Sequence, residues 1–165
     1  MAEVLLLCGK ICSGKSTWAA RICRDTGALC LSVDELTLAL LPERLGDLHD
    51  EVTERAKAYL LAQAAHIAAA GVSVVLDWGF WTRKDRQDTR AFFRARGIPC
   101  RLFFLDVSPE RLSANIAARN ARVLAGETRA YFVDEGLRQK MESRFEPPAQ
   151  EEVDLVCSGE IPPTV

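Results

Sequence analysis

Residues 9 to 17 read Gly-Lys-Ile-Cys-Ser-Gly-Lys-Ser-Thr, between a short apolar run, Val4–Cys8, and a helical pattern from Thr17 to Arg24. The spacing Gly9, Gly14, Lys15, Ser16 fits the phosphate-binding P-loop pattern G-x-x-x-x-G-K-[ST]. The flanks supply the strand–loop–helix context that the pattern requires. Each position has a physical task. Gly9 and Gly14 admit positive φ and close approach of the backbone. Successive N–H groups of Lys10, Ile11, Cys12 and Ser13 can form a concave anion nest. Lys15 brings a full charge to the β- and γ-phosphates, Ser16 offers a hydroxyl to Mg²⁺, and a helix opening at Ser16-Thr17 adds the positive end of its dipole. A chain that begins this way is constrained to a parallel α/β sheet with its first strand at the centre of function.

The remainder of the chain agrees. Short apolar segments at 4–8, 29–33, 73–77, 101–106 and 153–157 alternate with helical patterns at 15–25, 35–41, 47–70, 83–96, 109–124 and 133–145. That alternation predicts a mostly parallel sheet with helices on both faces. Boundary signals support it. Gly71 can end the long helix, Thr82 can cap the next with Asp85 at box-like spacing, and Gly97 and Pro99 stop it. Ser108-Pro109 is a cap followed by proline at the first helical position. Leu48, Val52, Ala56, Tyr59, Leu60 and Ile67 mark the expected apolar face of helix 47–70.

Length and composition bound the function. The chain has 165 residues, 48% of them apolar, which predicts a single globular domain over 1–159 and a loose tail at 160–165. The net charge of −2 supplies no global field for nucleic acid, although a local basic groove stays open. No apolar run approaches a membrane span, and the N-terminus carries no signal-peptide pattern, so a cytoplasmic location is expected. The cysteines at 8, 12, 23, 30, 100 and 157 form no C-x-x-C pair and are expected to be reduced. Cys12, inside the phosphate loop, could have its thiol acidified there; the plainer reading is a small tolerated loop residue.

Ligands of open parallel sheets bind beyond the carboxyl ends of the strands. That rule selects Asp34, Asp77 and Asp106. Asp34 could accept or orient the proton of an acceptor hydroxyl, and could equally cap the helix at 35–41. Asp77 ends an apolar strand, as a Mg²⁺-site carboxylate does, or contacts the following loop. Trp78, Phe80 and Trp81 could stack a planar substrate or simply pack the strand–helix junction. Arg83 and Arg86 could bind an anionic acceptor, but solvent-facing arginines are commoner. Arg119, Arg122 and Arg129, with Gly126 between them, suit a basic lid over about 119–131, or a solvated helix end. His49 and His66 are not at metal-ligand spacing and read as structural or surface residues.

With these residues in hand, the chain resembles the small P-loop kinases of the AAA-type ATPase/kinase group. Relatives include chloramphenicol phosphotransferase, the kinase domain of polynucleotide kinase, zeta toxins and gluconate kinase. The resemblance rests on Gly9–Thr17, Ser32–Glu35, Val74–Trp81 with Arg86, Arg119-Asn120 and Phe145–Pro148. It implies a three-layer, adenylate-kinase-like fold with a lid and sheet order 2-3-1-4-5. It further implies ATP and Mg²⁺, Asp34 as base or acceptor-orienting residue, Arg119 as the lid arginine on the phosphates, and Phe145–Pro148 near the adenine end. The second strand carries a single aspartate, not the Asp-x-Asp of shikimate kinases, so the acceptor does not carry over. The expected function is γ-phosphoryl transfer from ATP to a hydroxyl of a small molecule. The alternatives are a polynucleotide 5′-hydroxyl kinase and a non-catalytic ATP-binding or ATPase switch module.

Overall fold

The computed structural model describes residues 1–41, 48–128 and 130–158. Five parallel strands form one sheet: β1 (Val4–Cys8), β2 (Leu29–Ser32), β3 (Val74–Gly79), β4 (Cys100–Leu105) and β5 (Leu155–Cys157). Their spatial order is β2-β3-β1-β4-β5, which is the expected 2-3-1-4-5. The register pairs Val4 with both Val74 and Cys100, so β1 lies between β3 and β4. Among the described residues, six α-helices connect the strands: α1 (Lys15–Thr26), α2 (Val33–Leu40), α3 (His49–Ala69), α4 (Arg83–Arg94), α5 (Pro109–Leu124) and α6 (Glu135–Arg144). None of the described helices is long and apolar enough to cross a membrane.

The three-layer arrangement follows from β1 itself. All five of its side chains are buried, because successive residues point to opposite faces and both faces are covered. Val4, Leu6 and Cys8 pack with Ala64, Ala65 and Ala68 of α3 and Phe93 of α4. Leu5 and Leu7 pack with Trp18, Ala19 and Ile22 of α1. Each such aliphatic burial is worth about 1.5–3 kcal/mol. A smaller cluster of Leu112, Ile116 and Val133 reaches Ile11 and Cys12, and so ties α5 to the loop after β1.

Helix starts follow local chemistry. Thr82 accepts from the Asp85 N–H at 3.1 Å, as its spacing predicts. Ser108 caps α5 and Asp134 caps α6 in the same way. Ser32 caps α2, accepting from the Glu35 N–H at 3.3 Å. Helix α2 therefore starts at Val33 rather than at 35, and Asp34 is not its cap but a residue of its first turn.

Three further expectations are corrected. Of the expected α3 face, Ala56, Leu60 and Ile67 do pack on the core, joined there by Ala64, Ala65 and Ala68, whereas Leu48 and Tyr59 are exposed. Alanines let the helix axis approach the sheet, and a reading weighted toward large side chains misses that stripe. Strand β3 runs on to Gly79, because Cys8 pairs with Gly79 after a register shift. Arg86 does not face solvent. It is 1% exposed and bonded through Nε and Nη2 to the Glu152 carboxylate at 3.1 and 3.2 Å. Its Nη1 donates to the carbonyls of Phe80 and Glu146 at 3.1 and 2.9 Å. A buried arginine is tolerated only with such a full set of partners. Arg129 and the predicted tail, 160–165, lie outside the described residues.

Candidate functional site

The carboxyl ends of β1, β2 and β3 open into one cleft of about 1710 Å³. Its floor is the segment between β1 and α1. Gly14 is the α1 N-cap with φ 95°, and no side chain caps the helix there. The N–H groups of the first turn, at Ser16 and Thr17, are thus left for an incoming group. Cys12 is also left-handed, with φ 58°. Asn115 of α5 holds this conformation by donating to the Cys12 carbonyl at 2.9 Å. Gly9 is needed for close approach, because a Cβ there would lie 2.5 Å from Ser13 Oγ.

Lys15 is half-buried at the cleft floor. Its ammonium donates to the Gly9 and Lys10 carbonyls at 3.1 and 2.7 Å and to Ser13 Oγ at 3.5 Å. Desolvation lowers its pKa, and the Asp77 and Asp34 carboxylates oppose that fall. Asp77 is 8% exposed and lines the same cleft as Ser16. Strand pairing sets Ser32 opposite Asp77, so the β2 and β3 ends bring the α2 start and the Asp77 carboxylate together.

Asp34 is reached by solvent through the cleft. Desolvation by the surrounding walls raises its pKa, Arg119 is the largest opposing charge, and Asp77 adds to the rise. Arg119, on α5, reaches Cys12 Sγ through Nη1 at 3.6 Å. Its Nε is buried without a hydrogen-bond partner. An orphan guanidinium donor over a phosphate-type loop is the arrangement expected where an anionic ligand completes the site.

A roof spans the cleft. Asn120 exchanges two hydrogen bonds with Val133, at 2.8 and 2.9 Å, and so pins the segment after α5. That segment carries Tyr131, whose hydroxyl is 3.4 Å from Thr37 Oγ1 of α2 and whose ring meets His49 edge-on at 5.7 Å. Arg144 of α6 reaches Asp50 of α3 at 3.5 Å.

The cleft therefore brings together Ile11 to Thr17, Asp34, Asp77, Arg119 and Arg122. Gly9 and Lys10 lie behind the cleft surface, where their carbonyls hold Lys15. Arg122 is exposed at the rim, 3.9 Å from Glu127. Of the aromatic trio, Trp78 and Trp81 line the cleft and Phe80 is core, 1% exposed. Phe145–Pro148 does not line it. Phe145 stacks on Phe104 at 6.4 Å, and Glu146 pairs with Trp81 and Arg83. Asn115 and Tyr131 were not singled out from sequence. Asn115 is signalled only by its position four residues before Arg119 on one helical face.

Solved structures with this fold include kinases. A sugar kinase from Janibacter sp. HTCC2649 superposes with a TM-score of 0.63 at 19% identity, covering 96% of this chain and 86% of that one. A gluconokinase from Sinorhizobium meliloti 1021 gives 0.63 at 20%, covering 97% and 84%. The Mycobacterium tuberculosis APS kinase, solved with AMPPNP and APS, gives 0.59 at 20%, covering 97% and 90%. No curated protein matches the chain in sequence. The AAA domain family matches over residues 4–148, which include the loop at Gly9–Thr17, Asp34, Asp77 and Arg119, and the chain belongs to that family.

Proposed function

We propose that the protein is an ATP-dependent phosphotransferase acting on a hydroxyl of a small-molecule acceptor. The observation that carries this reading is the convergence of Lys15, Asp34, Asp77 and Arg119 on one cleft, with Arg119 Nε left without a partner. In this reading Gly9–Thr17 cradle the nucleotide phosphates, with Arg119 and Arg122 on their outer side. Positive charge from Lys15 and Arg119 then meets the migrating phosphoryl group, where such charge is most effective. Asp34, lining the same cleft as the loop, takes or orients the acceptor proton. A raised pKa suits this task, because it makes the carboxylate a stronger base toward the acceptor hydroxyl. The segment at about 119–131 acts as the lid over the phosphates, fastened by the Asn120–Val133 and Tyr131–Thr37 contacts, and excludes water.

Mg²⁺ fits the donor set. The Ser16 hydroxyl and the Asp77 carboxylate are hard oxygen donors lining the same cleft. Mg²⁺ with a nucleotide needs only one or two protein oxygens besides phosphates and waters. Ser16 and Asp77 would hold the ion, which supplies neutralising charge for the phosphate oxygens.

The test is ADP release with Mg²⁺ across a panel of sugars, nucleosides, antibiotics and oligonucleotides. A small-molecule acceptor should stimulate release many-fold over the basal rate. Lys15→Ala should abolish both the stimulation and the calorimetric ATP titration. Unchanged ATP binding in Lys15→Ala would falsify the donor site itself. Stimulation confined to oligonucleotides, falling steeply with salt, would replace the small-molecule acceptor by a polynucleotide 5′-end.

A further inference from the structure

Trp81 has no part in the mechanism above, yet the chain goes to some length to place it. Gly79 has φ +89° and Phe80 has φ +46°, so two successive residues leave β3 in left-handed geometry. A Cβ on Gly79 would lie 2.4 Å from the Trp81 indole nitrogen. Only glycine admits the ring at that approach. The backbone behind it is locked. The Phe80 carbonyl accepts from Arg86 and from the Cys8 thiol, at 3.1 and 3.4 Å. The Trp81 carbonyl accepts from the Glu146 N–H at 2.8 Å. The result is one hydrogen bond: Trp81 Nε1 donates to the Gly9 carbonyl at 3.2 Å. The Gly9 N–H in turn donates to the Gly79 carbonyl, also at 3.2 Å.

The same Gly9 carbonyl accepts from Lys15 Nζ. An ammonium has three protons, and all three are used here, on Gly9 O, Lys10 O and Ser13 Oγ. Lys15 can reach β- and γ-phosphate oxygens only by giving up two of these bonds. The shortest, to Lys10 O, is the one to keep. The Gly9 carbonyl, in a buried residue, then depends on Trp81 alone.

We propose that Trp81 is a positioning residue of the phosphate loop. It keeps the Gly9 carbonyl hydrogen-bonded when Lys15 turns to the phosphates, so that the loop holds its shape at no extra cost in the nucleotide-bound state. The proposal rests on the nucleotide reading given above. It predicts an asymmetry. In the ligand-free protein, Trp81→Phe leaves the carbonyl with Lys15 as donor. In the bound protein it leaves the carbonyl with none, and an unsatisfied buried acceptor should weaken binding about tenfold.

The experiment is calorimetric titration of wild type and Trp81→Phe with ATP and with inorganic tripolyphosphate, alongside thermal unfolding with and without ATP. The expected result is a ligand-free Tm within about a degree of wild type and a roughly tenfold loss of affinity for both ligands. Equal affinities overturn the proposal. So does a fall in Tm that is the same with and without ATP, which would make Trp81 a packing residue. Trp81→Gln and Trp81→Leu, similar in volume and differing in an N–H donor, provide a second comparison should Trp81→Phe fold poorly. Gln should bind ATP more tightly than Leu, and equality overturns the role of the donor. If wild type itself binds neither ligand, the nucleotide reading has failed. If wild type binds and Lys15→Ala does not, while Trp81→Phe is unchanged, the positioning role alone has failed.

Discussion

Asp34 lies in the first turn of α2, with Ser32 already occupying the cap, so no capping duty accounts for an aspartate there. Its pKa is raised from its ordinary 3.8, first by desolvation, with the Arg119 charge opposing. The folded state therefore holds its proton more tightly than the unfolded chain does. Stability falls as pH rises from 3.8 through the folded pKa, and remains reduced above it. Asp34→Asn removes that cost. The variant should melt at or slightly above wild type at pH 7, with the gap closing below pH 3.8, where both side chains are neutral. If Asp34 handles the acceptor proton, kcat should fall about a hundred- to ten-thousand-fold. Calorimetric ATP affinity should hardly move. A variant that melts lower and turns over normally would assign Asp34 to the fold rather than to the chemistry.

Arg86 connects elements that are remote in sequence. From α4 it binds the carbonyls after β3 and the carboxylate of Glu152, in the 3₁₀ turn Gln150–Glu152 just before β5. That single guanidinium joins the β3–α4 junction, the Glu146 backbone and the approach to the last strand. Arg86→Met removes both guanidinium bonds to Glu152 and the donor to the Glu146 carbonyl, and breaking a buried pair from one side costs about 3–5 kcal/mol. A large drop in the denaturation midpoint is expected. The Arg86 hydrogen bonds hold the Glu152 carboxyl below its ordinary 4.5, with a backbone N–H from Ala149 assisting. A depressed pKa contributes stability that is present above 4.5 and is lost as pH falls through the folded value. Glu152→Gln should remove the part of the acid limb below pH 4.5 that this pair supplies. An acid limb identical to wild type, measured by circular dichroism against pH, would show that the pair is not thermodynamically coupled to folding.

What was legible in the sequence divides along contact distance. Local signals worked: the Gly9–Thr17 spacing, the Thr82 and Ser108 caps, and the apolar runs of β1, β3 and β4 each report a structure built within a few residues. The sheet order came from resemblance, because strand runs carry no mark of their neighbours. Pairings between distant segments were not legible. Nothing in the spacing of Arg86 and Glu152, or of Thr37 and Tyr131, announces a contact across 66 or 94 residues. The roof over the cleft is the feature most dependent on such contacts. Asn120 carries it, since its amide satisfies both the N–H and the carbonyl of Val133. Asn120→Ala gives up those two bonds, a loss of about 1–3 kcal/mol. Each kcal/mol lowers the Tm of a protein of this size by about 2–4 °C. The segment it releases includes Tyr131, and α5 beside it carries Arg119 with its unpartnered nitrogen. If this segment closes over bound nucleotide, some of the loss must appear in binding as well as in folding. Ligand adds stability as RT ln(1 + [L]/Kd), about 2.7 kcal/mol at a hundredfold excess over Kd. Wild type should then gain about 5–11 °C at saturating ATP with Mg²⁺. At the same ATP concentration Asn120→Ala should gain less, because its Kd is higher. Equal gains in the two proteins, read by differential scanning calorimetry, would mean that the roof is fastened for stability and takes no part in holding the nucleotide.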